Sequence, residues 1–197
     1  MGNCIATGSY NTKNGYVAFD IEQTLGVWAS AHEISGPSSS PIGAKFPTAL
    51  TSLSCVNLAN CVAVGSITRA GTSVQQPVVT QETAGVWSSL RLIKRPVGAI
   101  AASGAGLNSV SCVSVGNCLA VGAYAVTTKT ERPLAVTEKN GVWSRALAVN
   151  LPSDAVKTGV SGADGVSCPT ATTCVFAGTY QRSTTLAVFA ATWSSAI

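Results

Sequence analysis

Apolar residues recur along the chain in short stretches that glycine, asparagine, serine and proline residues divide. No stretch keeps the spacing of an amphipathic helix for long enough to compete with strands of this length. In the middle of the chain the pattern predicts four consecutive strands, A to D, over residues 107–112, 118–126, 133–138 and 142–149. The chain is therefore predicted to be all-β and to consist of short antiparallel strands.

Strand B is small or apolar on both of its alternating sets of residues. Cys118 and Ala120 belong to one set, and Leu119 and Val121 belong to the other. Because alternate residues of a strand face opposite sides of a sheet, both sides of this sheet must be covered. Four-stranded antiparallel sheets that pack on both sides against similar sheets are typical of the blades of a β-propeller.

The same unit recurs with a period of about 57 residues, which the strand B glycines Gly8, Gly65, Gly122 and Gly178 mark. A second anchor in each unit is a tryptophan: Trp28, Trp87, Trp143 and, in a degenerate match, Trp193. We predict a single domain over residues 1–197, a β-propeller-like array of about four four-stranded antiparallel blades with the first incomplete. The approximate units are 1–47, 48–105, 106–160 and 161–197.

Three structural roles follow from this arrangement. The strand B glycines are expected to let the inner strands converge near a central channel, where a side chain would crowd. The recurring tryptophans are expected to pack between blades. The glycine-rich segment 161–165 is expected to cross from one blade to the next.

Six of the seven cysteines form Cys-x5-Cys pairs, namely Cys55 with Cys61, Cys112 with Cys118, and Cys168 with Cys174. If each pair flanks the turn between strands A and B, its two residues lie opposite each other within bridging distance. Zinc is an alternative, but structural zinc sites space cysteines more closely and often add histidine. Buried reduced thiols are the other alternative. The pattern favours disulfides and therefore a secreted, cell-surface or periplasmic location.

Cys4 stands at the second-cysteine position of a unit whose first half does not precede it, and it is predicted to be unpaired. No signal peptide precedes the first unit, so we expect the native N-terminus to lie upstream of Met1. Acylation is not expected, because Ala6 stands where the myristoylation pattern requires serine or threonine. The C-terminal segment does not supply the absent strand A either. Closing the ring is expected to need further blades or self-association with another copy.

Composition narrows the possible partners. Hydrophobic residues make up 46% of the 197 residues and charged residues 10%, with a net charge of +4, which excludes a disordered chain. No apolar run is long enough to span a membrane. No dense basic stripe with interleaved aromatic residues indicates nucleic-acid binding. The glycine-rich segment at Gly104 lacks the third glycine of a dinucleotide loop, so no cofactor is predicted.

Candidate catalytic residues are few. His32 is the only histidine, and its neighbour Glu33 points to the opposite face of a strand. Glu22, Glu82 and Glu138 each precede a tryptophan by five or six residues, and such recurrence favours a turn or capping role. A set of cations, Arg91, Lys94, Arg95, Arg132 and Arg145, is interpreted as solvated surface. We therefore predict no enzyme, no catalytic residues and no metal site.

The unit Ser-x-Ser-Cys, five residues, Cys-Leu-Ala-Val-Gly and then Asn-Gly-Val-Trp-Ser resembles repeats in functionally uncharacterised secreted bacterial proteins of the actinobacterial type. The resemblance covers nearly the whole chain and implies a β-propeller with disulfide-clipped blades. The turn at Asn140 and Gly141 also resembles the Asp-box of sialidase-type propellers, although it lacks the aspartate. That motif is a structural turn and implies no catalytic residues.

Three functions are compatible with these observations. The first is a non-enzymatic binding or scaffold module of an exported protein that presents propeller loops to a glycan or protein. The second is a fragment of a larger secreted propeller enzyme, such as a glycoside hydrolase, with its catalytic residues outside this chain. The third is a structural spacer.

Overall fold

The computed structural model of the chain describes residues 3–13, 15–37, 48–68, 72–100 and 103–194. These described residues form seventeen strands and no helix. The strands assemble into four antiparallel sheets, which we number 1 to 4 in chain order. The prediction of an all-β chain is confirmed.

Each sheet is formed by strands that follow one another in the sequence. Sheet 1 contains β1 (Cys4–Thr12), β2 (Gly15–Thr24), β3 (Val27–Trp28) and β4 (His32–Ile34). Sheet 2 contains β5 (Ala49–Asn57), β6 (Asn60–Thr68), β7 (Gln75–Thr83), β8 (Val86–Trp87) and β9 (Arg91–Leu92). Sheet 3 contains β10 (Ala105–Ser114), β11 (Asn117–Ala125), β12 (Glu131–Lys139), β13 (Val142–Trp143) and β14 (Leu147–Ala148). Sheet 4 contains β15 (Ser161–Thr170), β16 (Thr173–Arg182) and β17 (Thr185–Trp193).

The fourth strand of sheet 3 is divided into two short pieces. Both β13 and β14 pair with β12. Between them the backbone turns to the neighbouring sheet, where the Ala146 N–H donates to the Lys94 carbonyl at 2.9 Å. The single strand predicted over 142–149 is therefore interrupted. The turn that connects β12 to β13 has positive φ at Asn140 (50°) and Gly141 (79°), as the two-residue turns of β-hairpins require.

Three apolar cores lie between successive sheets. In β11, Cys118 and Ala120 belong to the core shared with sheet 2. Leu119 and Val121 belong to the core shared with sheet 4. A third core joins Ile34 and its neighbours in sheet 1 to sheet 2. The prediction that both sides of strand B are covered is confirmed, and the side chains that cover them come from the two adjoining sheets.

The strand B glycines admit a bulged neighbour strand. The pairing of β10 with β11 shifts between Leu107 and Ser109, and a Cβ on Gly122 would lie 2.0 Å from the Gly106 carbonyl oxygen. The same clash arises at Gly65 with the Ala49 oxygen (1.8 Å) and at Gly178 with the Gly162 oxygen (2.0 Å). These glycines therefore make room for strand A of their own sheet, a role that differs from the predicted convergence at a channel.

Serine side chains link the first strand of one sheet to the first strand of the next. Each serine oxygen accepts a backbone N–H from the following sheet, and we call this set of bonds the serine ladder. Its members are Val110 N to Ser52 Oγ (3.1 Å), Cys112 N to Ser54 Oγ (3.0 Å), Val166 N to Ser109 Oγ (3.2 Å) and Cys168 N to Ser111 Oγ (3.0 Å). The ladder satisfies N–H groups that point away from the sheet to which they belong.

The bulged residues of the first strands add bonds in the opposite direction. Thr51 Oγ1 donates to the Leu107 carbonyl at 2.7 Å, and Asn108 Nδ2 donates to the Ala163 carbonyl at 3.0 Å. Sheet 4 has Asp164 at this bulge and Gly165 where sheets 2 and 3 have the first ladder serine. The ladder therefore weakens at the outer side of sheet 4.

Replacing Ser111 with alanine is expected to lower the free energy of unfolding by about 1–2 kcal/mol, because it leaves the Cys168 N–H without its acceptor. The matched control is Ser167→Ala, since Ser167 occupies the equivalent position and its hydroxyl makes no hydrogen bond among the described residues. The control is expected to stay within about 0.5 kcal/mol of the parent. Urea unfolding at constant pH measures both, and equal losses would contradict the ladder's contribution.

Two predictions about individual segments are wrong. Trp193 lies in β17 opposite Cys174, where sheet 3 has Glu138 opposite Cys118, so it is not a counterpart of the other tryptophans. The segment 161–165 is the beginning of β15, not a crossing loop. Its Gly162 allows close packing on sheet 3, because a Cβ there would lie 3.3 Å from the Ala123 methyl carbon.

The sheets stack in chain order. β10 contacts β5, β6 and β7 of sheet 2, while β15 contacts β10, β11 and β12 of sheet 3. Sheet 1 reaches sheet 2 through β1 and β5. Among the described strands, sheet 4 makes no substantial contact with sheet 1, so the described array is open.

Candidate functional site: a cationic cleft between sheets 2 and 3

A groove lies at the junction of sheets 2 and 3, beside β9 and the segment that follows it. The Ile93 N–H donates to the Pro77 carbonyl at 2.8 Å, which holds this segment against β7. The bond from the Ala146 N–H to the Lys94 carbonyl ties it to sheet 3. The backbone on both sides of the groove is therefore fixed by hydrogen bonds.

Two adjoining cavities of 480 Å³ and 390 Å³ form the groove. Both are lined by Leu92, Ile93, Lys94 and Arg145. Further lining residues are Gln76, Arg95, Pro96 and Ala99 in the first cavity and Arg91, Trp143 and Ser144 in the second. The volumes fall in the range of clefts that bind small ligands.

Four cationic side chains line the groove: Arg91, Lys94, Arg95 and Arg145. We call the groove the cationic cleft. Arg145 Nη1 donates to the Arg95 carbonyl at 2.9 Å, and Arg95 Nη1 donates to the Ser103 carbonyl at 2.7 Å. Arg91 and Lys94 are exposed and form no ion pair among the described residues. Two of the cations are thus positioned by the backbone, and two are available to a ligand.

Among the described residues that line the two cavities, none carries a carboxylate. Four like charges around one groove produce a positive potential that attracts anions. Arginine also offers paired N–H donors that match the two oxygens of a carboxylate. The arrangement is chemically suited to anionic ligands.

A second cleft of 560 Å³ lies elsewhere between the same two sheets. Hydroxyl and amide side chains line it, among them Thr51, Ser66, Gln75 and Asn108, and Glu131 is its only charged residue. Two of these groups are already engaged, because Thr51 and Asn108 donate to backbone carbonyls of the following sheets. This cleft is larger, but no cationic side chain is among its described lining residues.

Buried carboxyl groups face the preceding sheet at two equivalent places. In sheet 3, Glu138 is fully buried and accepts a hydrogen bond from the Gln81 amide of sheet 2. Burial raises the pKa of Glu138, whereas the Gln81 bond and the Arg91 charge act in the opposite direction. The buried Glu138 carboxyl group therefore has one hydrogen-bond donor and a nearby cation, while its Oε2 has no hydrogen-bond partner among the described residues.

Glu82 of sheet 2 is also buried but faces acidic residues of sheet 1. Pairing registers place Glu22 in sheet 1 where sheet 2 has Gln81. Burial, together with the charges of Glu22 and Asp20, raises the pKa of Glu82 to about 7. Neither Glu82 oxygen has a hydrogen-bond partner among the described residues. The predicted turn or capping role is therefore wrong for Glu82 and Glu138, because their carboxyl groups lie between sheets.

His32 has a carboxylate partner other than the neighbouring glutamate. Asp20 and His32 are paired residues of β2 and β4, and the His32 Nδ1 lies 3.5 Å from the Asp20 Oδ2. The carboxylate is buried, whereas the imidazole is exposed. No described hydroxyl or thiol bonds to His32, so the pair lacks the nucleophile of a catalytic triad.

The three predicted cysteine pairs lie at disulfide distance, with Cα separations of 4.0, 4.0 and 3.9 Å. This is consistent with an oxidising compartment. Cys4 is exposed and forms no disulfide among the described residues.

Trp143 packs in the core between sheets 2 and 3, whereas Trp28 is 46% exposed.

The sequence led us to interpret the cationic residues as solvated surface. It did not predict that four of them line the same groove. One signal was present: Arg145 follows Trp-Ser where the equivalent residue of sheet 2 is Ser89. A charged residue at a position where the other unit has serine is not required by the repeated fold. Arg132 lies apart from the cleft and donates to the carbonyls of Lys157 and Gly159.

Within the described ranges, no cluster of histidine, cysteine and acidic residues is arranged to hold a metal ion. A search of the same residues found no helix of the length and apolarity needed to cross a membrane. No protein-family model matches the chain, and no curated protein matches it.

Proposed function

We propose that the protein is a non-enzymatic binding module of an exported protein and that it holds an anionic glycan in the cationic cleft. The observation that supports this proposal is that four cationic side chains line one groove, and no carboxylate is among its described lining residues. The four are Arg91, Lys94, Arg95 and Arg145. Carboxylate-bearing sugars, such as uronic acids, are the class of ligand that this chemistry favours.

The apolar part of the cleft supports a sugar ligand over a simple anion. Leu92, Pro96 and Ala99 line the groove beside the cations. A sugar ring has C–H groups that pack on apolar side chains, while its carboxylate pairs with arginine. An acidic peptide would also be attracted, and the test below separates the two.

The overall fold proposed is a β-propeller-like array of four-stranded blades. Four antiparallel sheets that stack in chain order, with apolar cores on both sides of sheets 2 and 3, support it. In a propeller the ring is closed, so we propose that further blades or another copy complete it. Three disulfide-distance pairs support export to an oxidising compartment.

An oligogalacturonate is expected to bind the protein, and a neutral cello-oligosaccharide of equal length is expected not to. The double variant Arg91→Ala, Lys94→Ala should bind the oligogalacturonate about tenfold or more weakly, because both free cations are lost. Affinity should fall as salt is raised from 0.05 to about 0.5 M, since these charges are exposed to solvent. Isothermal titration calorimetry measures each affinity.

Lys129→Ala is the control, because Lys129 is an exposed cation outside the cleft. It should leave the affinity unchanged. No binding of the oligogalacturonate, or equal binding by the double variant, would overturn the proposal. Tighter binding of an acidic peptide than of the oligogalacturonate would indicate a protein ligand instead.

A further inference from the structure

One edge of sheet 1 is open. In sheets 2 to 4 the second strands, β6, β11 and β16, pair on one side with strand A and on the other with strand C. The corresponding strand of sheet 1 is β1, and among the described strands it pairs with β2 alone. The backbone groups on its other side are available to an added strand.

The side chains of β1 also lack the cover that their counterparts have. β6 and β11 are buried over most of their length, whereas β1 is half-exposed. Tyr124 and Tyr180, near the ends of β11 and β16, are each 5% exposed, but the equivalent Tyr10 is 44% exposed. Tyr124 and Tyr180 belong to the cores that their sheets share with the preceding sheet, so the exposure of Tyr10 marks a face of sheet 1 on which no described sheet packs.

Gly8 keeps room beside β1 for a bulged strand. At the equivalent Gly122, a Cβ would clash with the backbone of strand A at 2.0 Å. At Gly8 the three nearest described atoms all belong to the Phe19 ring, the nearest at 3.0 Å. Sheet 1 thus has the glycine that a bulged strand requires, and the Phe19 side chain would have to move aside to admit that strand.

The serine ladder specifies which residues the added strand carries. Leu53 and Cys55 of β5 correspond to Val110 and Cys112, whose N–H groups bond to serines of the preceding sheet. No side chain among the described residues accepts from Leu53 or Cys55. Because β5 contacts β1, a strand beside β1 also lies against β5, where two serines of the pattern Ser-x-Ser would complete the ladder.

The position opposite Cys4 calls for a cysteine. Cys4 pairs with Gln23 as Cys118 pairs with Glu138, so it is the counterpart of the second cysteine in each disulfide. We propose that the open edge of β1 binds an extended segment of the pattern Ser-x-Ser-Cys, which adds to sheet 1 as strand A. Its cysteine, presented as a mixed disulfide, is attacked by the Cys4 thiolate, so that the new disulfide forms while the other half of the mixed disulfide leaves as a thiolate.

The first strands of another copy are not the expected occupant. Each of the three is held in its own sheet by a disulfide. Sheet 4 of another copy is not expected to supply the missing acceptors of β5 either. In sheet 4, Asp164 replaces the bulge residue that donates a hydrogen bond to the next sheet, and Gly165 replaces the first ladder serine. The occupant is therefore a segment of this pattern that is not already paired.

A synthetic peptide with the sequence of residues 105–114, AGLNSVSCVS, tests the proposal when its cysteine is activated as the thionitrobenzoate mixed disulfide. The Cys4 thiolate attacks the peptide sulfur, the new disulfide forms, and thionitrobenzoate leaves as a coloured thiolate. The proton of Cys4 goes to solvent, and no further oxidant is needed. Release of colour gives the rate, and peptide mapping by mass spectrometry locates the bond.

The matched peptide is expected to react with Cys4 about tenfold or more faster than a scrambled peptide of the same composition, because docking raises the local thiol concentration. A peptide in which the two ladder serines, those of Ser109 and Ser111, are replaced by alanine should lose most of that advantage. In 8 M urea all three should react equally. The protein variant Gly8→Ala should also abolish the preference, since the added methyl group occupies the space of the bulge.

Equal rates for the matched and scrambled peptides with the folded protein would overturn the proposal. So would a preference that the peptide without the two ladder serines retains in full, or a Cys4–Cys4 dimer formed in place of the peptide adduct. Because the peptide variants leave the protein intact, the outcome does not depend on whether Gly8→Ala folds. None of these results bears on the cationic cleft.

Discussion

Replacing Gly122 with alanine is expected to lower the free energy of unfolding by at least about 3 kcal/mol. The added Cβ would lie 2.0 Å from the Gly106 carbonyl oxygen and 2.8 Å from the Leu107 Cα, both of which are backbone atoms of β10. That strand cannot withdraw easily, because the disulfide between Cys112 and Cys118 holds it and the ladder bonds of Ser52 and Ser54 fix it to sheet 2. Urea unfolding with the disulfides intact measures the loss.

Two matched substitutions isolate the cause. Gly165→Ala adds the same methyl group to a strand where no other atom lies within 4 Å, so it should change stability by less than about 1 kcal/mol. Gly8→Ala is the same repeat position with only the flexible Phe19 ring nearby, and its loss should be smaller than that of Gly122→Ala. Equal losses at Gly8 and Gly122 would show that the backbone clash is not the cause.

The strand order and the cysteine pairing could be predicted because both depend on short-range pattern. Apolar residues on both sides of β11 required two covering layers, and these layers are the adjoining sheets. The two cysteines of each pair are separated by the same five residues in three units. That spacing predicted that residues such as Cys112 and Cys118 face each other across a hairpin. Local alternation and turn residues carry such information directly.

The contacts between sheets could not be predicted, because they join residues about one repeat apart. Nothing local to Glu138 indicates that the Gln81 amide faces it, and nothing local to Lys94 indicates that Arg145 lies across a groove. The error at Trp193 has a related origin. The Trp-Ser pair at Trp193 predicts a fourth strand by its likeness to the other units. The pairing of Trp193 with Cys174 shows instead that Trp193 lies in β17, the third strand of sheet 4.

Stability is expected to fall by about 2 kcal/mol as the pH rises from 4.5 to about 7, because the pKa of Glu82 rises from 4.5 to about 7 on folding. The folded state keeps the proton of this buried carboxyl over that range, while the unfolded chain releases it. The stabilisation is complete below pH 4.5 and is lost by about pH 7. Glu82→Gln should remove this component of the pH dependence, as urea unfolding at pH 4 and pH 8 would measure.

The residue that faces each buried carboxyl group is expected to determine how stability depends on pH. Exchanging these residues should move the pH dependence of unfolding from the contact between sheets 1 and 2 to the contact between sheets 2 and 3. Glu22→Gln gives Glu82 an amide in place of a second carboxylate, as Gln81 gives Glu138, and should raise stability at pH 8 by about 1 kcal/mol. Gln81→Glu makes the reverse change in front of Glu138 and should lower stability at pH 8 by about 2 kcal/mol, with little effect at pH 4. If both variants follow the parent at both pH values, the carboxyl groups do not interact across the sheets. Opposite shifts would instead show that one residue facing each buried glutamate decides whether neighbouring sheets stay packed at neutral pH.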